Sequence, residues 1–340
     1  MGGYADRISA KRLSTLVIFG LIVFVFLMAN NTSTWGLVFI ILGLRFFGQG
    51  MLGHISMVFC GKWFFKNKGK AVAVANSGYT LAEAIMPTIF VALIGLLSWQ
   101  VSWYVSIIMS ILILASVRFL AKTERNKGTK PQKENQQVGM LKKSWKRSEM
   151  LRSWVFWAAV PGLMTSPMIT TTLFFHQVHL VEIKSWDLST YVLFIPAYSA
   201  ATLFSLYLIG YLVDKLSTKI ILPVFLFPLI SGLLLLSIAT SYLELLLIFI
   251  LLGLSAGAYI VVYGTFFPEF FGSLYLGSVR TVGVTIMVFS SAIGPVLSGY
   301  FIDLGYLIDH QFKFFAAFSF FASLLFLTIN LSVKLPENAK

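Results

Sequence analysis

Charge and cysteine are what this chain has least of. Only 11% of its 340 residues are charged, 13 of them acidic, and there is a single cysteine, Cys60, beside four histidines. One cysteine allows no intrachain disulfide, and no Cys or His spacing matches a metal-binding pattern. So little charge against 58% hydrophobic residues, with a mean hydropathy of +0.85, excludes a soluble domain and places the chain among integral membrane proteins. The net charge of +13 would suit a nucleic-acid binder only with Lys and Arg gathered on one water-facing surface. Here they sit between apolar runs, so nucleic acid is not an expected partner. No apolar run carries clustered acids or a Ser-His pair, which argues against an embedded enzyme and against a cofactor.

What is present is a series of apolar runs. The first, TLVIFGLIVFVFLMAN from Thr15, is as long as a bilayer is thick and has no small-residue cleavage site, so it reads as a spanning helix and not a signal peptide. Others follow at 35–60, 71–97, 101–121, 153–178, 190–213, 220–239, 243–267, 281–302 and 312–333, making ten expected spans. If the polar opening faces the cytoplasm, 23 of the 26 Lys and Arg fall on that side, leaving Lys184 and Lys313 outside and Arg45 within a span. The expectation is a multi-pass protein of the plasma or inner membrane with both termini cytoplasmic. The basic stretch 122–152, poor in aromatics until Trp145, reads as a cytoplasmic linker, flexible or partly helical. It would either be simply solvated or meet anionic lipid headgroups.

An internal repeat organises the spans. GGYADRISAK from Gly2 aligns with GYLVDKLSTK from Gly210 at an offset of 208 residues: Gly2 with Gly210, Asp6 with Asp214, Arg7 with Lys215. The same offset brings Gly69 to Gly277, Val74 to Val282, and Ala84, Ile85 and Pro87 to Ala292, Ile293 and Pro295. One spacing over three separated stretches indicates duplication, the usual build of secondary transporters. Four spans follow the turn in each copy, and two precede it only in the second. The expected fold is therefore all-α, two pseudo-symmetric helical bundles of four plus six spans, where a complete pair would have six plus six and the first two helices are missing. The expected domains are an N-terminal bundle at 1–121, the linker at 122–152 and a C-terminal bundle at 153–340.

These residues resemble the major facilitator superfamily. Its signature in the loop after the second helix, Gly, three residues, Asp, then Arg or Lys and a basic cluster, is matched by Gly2, Asp6, Arg7, Lys11 and Arg12, and echoed by Gly210, Asp214 and Lys215. Ser9 stands where that signature has a second glycine. RFFGQG, Arg45 to Gly50, is similar to the fourth-helix pattern, with one extra residue between Arg45 and Gln49. KWFFKNKGKAVAVANSG, through Trp63, Phe64, Lys66, Lys68, Ala71, Ala75 and Gly78, resembles the monocarboxylate transporter and oxalate/formate antiporter branch, as does the HLV at His179. Carriers of that branch place a basic residue inside the eighth or eleventh helix, and the runs 190–213 and 281–302 have none, which counts against a monocarboxylate. The resemblance implies that each Asp of the paired turns meets free amides at a helix start in the opposite half, bracing a cytoplasmic gate. Asp6 would meet the start at Gly277 to Arg280, and Glu269 would pair with a basic residue of the turns.

Ionisable residues at membrane depth are functional candidates by default, and two stand out. Arg45 and Glu83 differ in depth by roughly 6 Å at 1.5 Å per residue, within an arginine's reach. They would form a proton- or substrate-responsive pair in a cavity, or a structural ion pair. His176, His179 and Glu182 share one helical face near the outer mouth, without the i, i+4 spacing of a zinc helix, so a pH-sensitive gate or plain hydrogen bonding is expected and no metal. His54 is a weaker candidate of the same kind. Tyr79, Tyr198, Phe204, Tyr259 and Tyr263 would line a cavity or face lipid. Gly50, Gly53, Gly78, Gly253, Gly257, Gly294 and Gly299 mark close helix approaches, with Pro295 bending its helix. The expected function is a secondary active transporter that works by alternating access on a small organic solute, such as a monocarboxylate or other organic anion, with proton coupling or exchange. The alternatives are a multidrug-type efflux carrier and a truncated, non-transporting membrane protein.

Overall fold

Lipid offers no hydrogen-bond partner, so an apolar run that crosses it must close its own amides in helices. The computed structural model describes residues 8–64, 67–120 and 137–336, and no strand occurs among them. Among the described residues, eight helices are long and apolar enough to cross a membrane. The other two expected stretches are filled by a 29-residue helix, Lys68–Leu96, and by a broken run. In that run α11 (Thr218–Ile221) is followed by turns and then by α12 (Phe227–Ile238), with Pro223 and Pro228 interrupting the amide ladder.

The chain forms two compact units, Met1–Phe59 with Ile85–Gln136, and Cys60–Ala84 with Gln137–Lys340. The first contains α1 (Ala10–Ala29), α2 (Thr34–Leu44), most of α3 (Gly53–Trp63), the end of α4 (Lys68–Leu96) and α5 (Trp99–Leu120). Ser9 and Ser33 start α1 and α2 by accepting from the amides of Arg12 and Gly36. α1 packs chiefly on α5, and the Tyr104 hydroxyl donates to Asn30 Oδ1 at 2.9 Å. Between α2 and α3 the helix continues as a π segment, Arg45–Leu52. A π turn absorbs one additional residue without breaking the helix, and this is where RFFGQG carries its extra residue.

The second unit holds the larger core. After a 3₁₀ turn (Met140–Lys142) and the short α6 (Arg147–Leu151) come α7 (Trp154–Phe175), α8 (Gln177–Ile183), α9 (Leu188–Val192) and α10 (Ile195–Leu216). α11 and α12 follow, then α13 (Tyr242–Phe271), α14 (Leu276–Asp303) and α15 (Ile308–Ser332). Its most extensive contact joins α10 to α13. Gly253 and Gly257, four apart on α13, let the helix backbones meet: a Cβ on either would strike the carbonyl of Tyr198 or of Thr202. Ser205 Oγ donates across the same contact to the Leu254 carbonyl at 2.6 Å. α7 packs on α14 and α15, and Gly162 leaves room there for the Phe326 ring.

Two expectations change. The described part of the expected linker, 137–152, is not loose: Trp145 N–H donates to the Phe271 carbonyl at 2.9 Å and Ser273 N–H to that of Gln137 at 3.0 Å. Met140 and Met150 are buried beneath it, so apolar anchoring overrides the polar composition. The helix of the run 153–178 breaks at His176 (φ −95°, ψ 18°), so His176 stands at a corner while His179 and Glu182 lie on α8.

Candidate functional site

Lys68, Asp214, Glu269 and Arg280 lie near the ends of α4, α10, α13 and α14. Asp214, in the last turn of α10, accepts from the amides of Gly69 at 2.7 Å and Lys70 at 3.1 Å in the first turn of α4. Free amides at a helix start attract an anion, which is why a carboxylate sits there. The helices reach this contact because both approaching residues are glycines: a Cβ on Gly69 would strike the Gly210 carbonyl, and one on Gly210 would lie 2.8 Å from the Gly69 oxygen. Lys215 of α10 stacks its ammonium on the Tyr211 ring, 4.6 Å from the centroid.

Glu269, fully buried in the last turns of α13, holds the neighbouring contact. It accepts from Thr218 Oγ1 at 2.7 Å and from the amides of Thr218 at 3.1 Å and Lys219 at 3.3 Å, and it pairs with Lys68 Nζ at 2.6 Å. The turn after Asp214 thus supplies amides to Glu269, while the ammonium comes from the start of α4. The repeat makes this pair informative. At the offset of 208, Lys68 corresponds to Leu276 and Glu269 to Gly61. Those two residues also meet: a Cβ on Gly61 would lie 2.6 Å from Leu276 Cδ2. One copy of the contact is ionic and its counterpart is apolar.

Arg280 lies in the second turn of α14, which starts at Leu276, earlier than the apolar run 281–302 suggested. It is 4% exposed, its guanidinium sits 5.2 Å from the centroid of the Tyr263 ring, and its Nε and Nη1 meet no hydrogen-bond acceptor among the described residues. Tyr263, Cys60 and Tyr259 are the described groups that act on its charge, and none is a carboxylate. A buried cation is costly unless it is paired, and Asp6, expected at this helix start, lies outside the described residues.

Nearer mid-span, Glu83 and Tyr79 lie one turn apart on α4, both exposed, and both act electrostatically on buried Tyr198 of α10. Tyr198 also lines a small apolar cavity with Thr170, Phe174, Tyr191 and Phe249. Arg45 opens the π segment of the first unit and is exposed. The Tyr259 hydroxyl donates to the Leu163 carbonyl at 2.9 Å. That carbonyl has no amide of its own, because residue 167, four further along α7, is proline. His176 Nε2 bonds the Pro295 carbonyl at 3.0 Å, beside Gly299, and so joins α7 to α14. Phe204 is 62% exposed on α10.

The sequence over residues 1–295 matches the family model of the Major Facilitator Superfamily. The chain belongs to that superfamily. Its fold is similar to a variant of the E. coli fucose:proton symporter FucP, with a TM-score of 0.71 at 10% identity over 96% of this chain and 85% of that one. It is also similar to the proton:xylose symporter XylE bound to 6-bromo-6-deoxy-D-glucose, with a TM-score of 0.73 at 11% identity over 99% of this chain and 83% of that one. Identities this low carry the fold alone. No curated protein matches the sequence. The superfamily consists of membrane transporters, not enzymes, so this major facilitator is a multi-pass carrier of a small molecule.

In this major facilitator, Gly2, Asp6 and Arg7 lie outside the described residues. Arg45 and Glu83 fall in different units. The contacts that sequence reasoning missed are the ammonium of Lys68 on Glu269 and the glycine pair under Asp214. The second had a signal: Gly69 and Gly210 both appear in the repeat, though in different stretches of it.

Proposed function

We propose that this major facilitator is a secondary transporter that moves a small organic anion by alternating access, with proton coupling, between bundles formed by 1–121 and 153–340 and joined by 122–152. The observation that carries the anion is Arg280, a buried cation with no carboxylate acting on it among the described residues. An anionic solute passing its end of the path would complete that charge. Arg45, Glu83 and Tyr79 support a water-filled path: they are exposed within spans, where charge against lipid is costly and a polar cavity is the tolerable surrounding. Glu83 is the proposed proton carrier and Arg45 a second cation of the path, with His176 and His179 a pH-sensitive element at the far mouth. Asp214 with Lys215, Glu269 and Arg280, and Asp6 with Gly2 and Arg7, brace the gate at the cytoplasmic end, the orientation that the basic residues support.

Uptake into proteoliposomes tests this, using labelled mono- and dicarboxylates beside fucose and xylose, with and without an imposed pH gradient. Carboxylate uptake with a KM at least about tenfold higher in Arg280→Gln supports the anion reading. Uptake of a neutral sugar, unchanged in that variant, overturns it. Glu83→Gln is expected to remove the response to the pH gradient while exchange continues, and pH-driven uptake surviving that change sinks the coupling role.

A further inference from the structure

The segment 137–152 is tied down at several points and carries its charge outward. Gly139 lies against the Phe270 carbonyl with no room for a Cβ, and its amide donates to the Lys143 carbonyl at 3.0 Å. Trp145 Nε1 donates to the Met140 carbonyl at 3.0 Å, closing a small loop. Closing it forces Leu141 (φ 58°) and Lys142 (φ 56°) into the left-handed region, which residues other than glycine seldom occupy. The product is an apolar tip: Leu141 is 77% exposed, although Met140 beside it is buried. Around that tip stand Lys142, Lys143, Lys146, Arg147 and Arg152, all exposed, against one acid, Glu149. Glu149 pairs with Lys143 at 3.2 Å and accepts from the Lys146 amide at 2.7 Å.

The position of this basic face follows from the next helix. α7 starts at Trp154 and is long and apolar enough to cross a membrane. Trp154 and Trp157 are 53% and 58% exposed on its first turn, as interfacial indoles are, and Trp157 Nε1 donates back to the Leu151 carbonyl at 2.8 Å. The cations therefore lie at headgroup level beside the bilayer, with an exposed leucine among them. We propose that 137–152 is a docking face for anionic phospholipid headgroups of the surrounding membrane, held by Lys142, Lys146, Arg147 and Arg152, with Leu141 entering the acyl boundary. Basic residues at a bilayer surface are attracted by anionic lipid over about a Debye length, and an apolar side chain among them adds to the anchoring. Because Trp145 N–H and Gly139 hold the last turn of α13, a lipid on this face would steady the helix end that carries Glu269.

Hydrogen exchange of the full chain in nanodiscs tests the proposal, comparing phosphatidylcholine alone with discs containing about 30% phosphatidylglycerol. Amides of 137–152 are expected to exchange at least about tenfold more slowly in the anionic discs, with those of α10 and α13 mid-helix unchanged. The gain should disappear near 0.5 M salt and in Lys142→Gln/Lys146→Gln/Arg147→Gln/Arg152→Gln, and shrink in Leu141→Ser. If the four-site variant fails to purify as a folded carrier, the salt dependence of the unmodified chain decides. Equal exchange in the two lipids overturns the proposal. So does protection produced by an added polyanionic nucleic acid or acidic protein but not by phosphatidylglycerol.

Discussion

Changing Glu269 to Gln removes one charge from a contact with little access to water. Glu269 and Lys68 are 0% and 3% exposed and meet at 2.6 Å. Gln keeps an oxygen for the Thr218 amide and hydroxyl, so the change isolates the loss of charge opposite Lys68. Withdrawing one partner from a buried pair costs about 3–5 kcal/mol, and the retained hydrogen bonds place Glu269→Gln near about 3 kcal/mol. With about 2.1 cal/mol/K per residue over the 340-residue chain, that lowers the melting temperature by about 4 °C. Lys68→Met should cost a similar amount, whereas Lys68→Met with Glu269→Gln should lie within about 1 kcal/mol of the unmodified protein, because replacing both charges is close to neutral. Thermal unfolding of the four proteins in one detergent gives the cycle. A coupling energy below about 0.5 kcal/mol, that is, losses that simply add, would refute the reasoning.

Tyr259→Phe leaves the Leu163 carbonyl without its donor and should cost about 0.6–1.7 kcal/mol in thermal unfolding; Pro167→Ala restores an amide, so the same change in that background should be close to neutral. Gly69→Ala and Gly210→Ala force backbone against backbone and should each lower stability by about 1–3 kcal/mol, while Gly78→Ala, with nothing within 4 Å of its Cβ, should not. Glu149 accepts from the Lys146 amide and the Lys143 ammonium, which hold its carboxyl below the ordinary range. A depressed folded value means that its contribution is complete above the ordinary carboxylate range and is lost as pH falls through the folded one. Limited proteolysis of 137–152 should therefore accelerate on acidification below the ordinary carboxylate range, and Glu149→Gln should flatten that dependence.

Much of this arrangement was legible from composition and spacing. Ten apolar runs anticipated where helices would lie, the offset of 208 pointed to Asp214, and the family resemblance pointed to Glu269. The rest depended on distances between segments remote in sequence. Lys68 was legible as one of four lysines in a short loop and as a basic position of a family motif, but its partner is 201 residues away. The extra residue of RFFGQG was visible, but its absorption as a π segment was not, since hydropathy is blind to helix pitch. For 137–152 the reading left flexible and partly helical open, because polar composition does not show how two methionines and one tryptophan fasten the segment. Tyr259 was read as a cavity candidate, and the clue to its hydrogen bond was a proline on another helix.

The two counterpart contacts, Lys68 on Glu269 and Leu276 on Gly61, differ in what it takes to separate them. An ion pair drawn out of a dry interior must be rehydrated, so its release has a threshold. An aliphatic side chain lying on bare glycine can roll or slide with no bond to break. If the proposed gate closes at this end, it has a latch on one side and a hinge on the other, although both descend from the same duplicated segment.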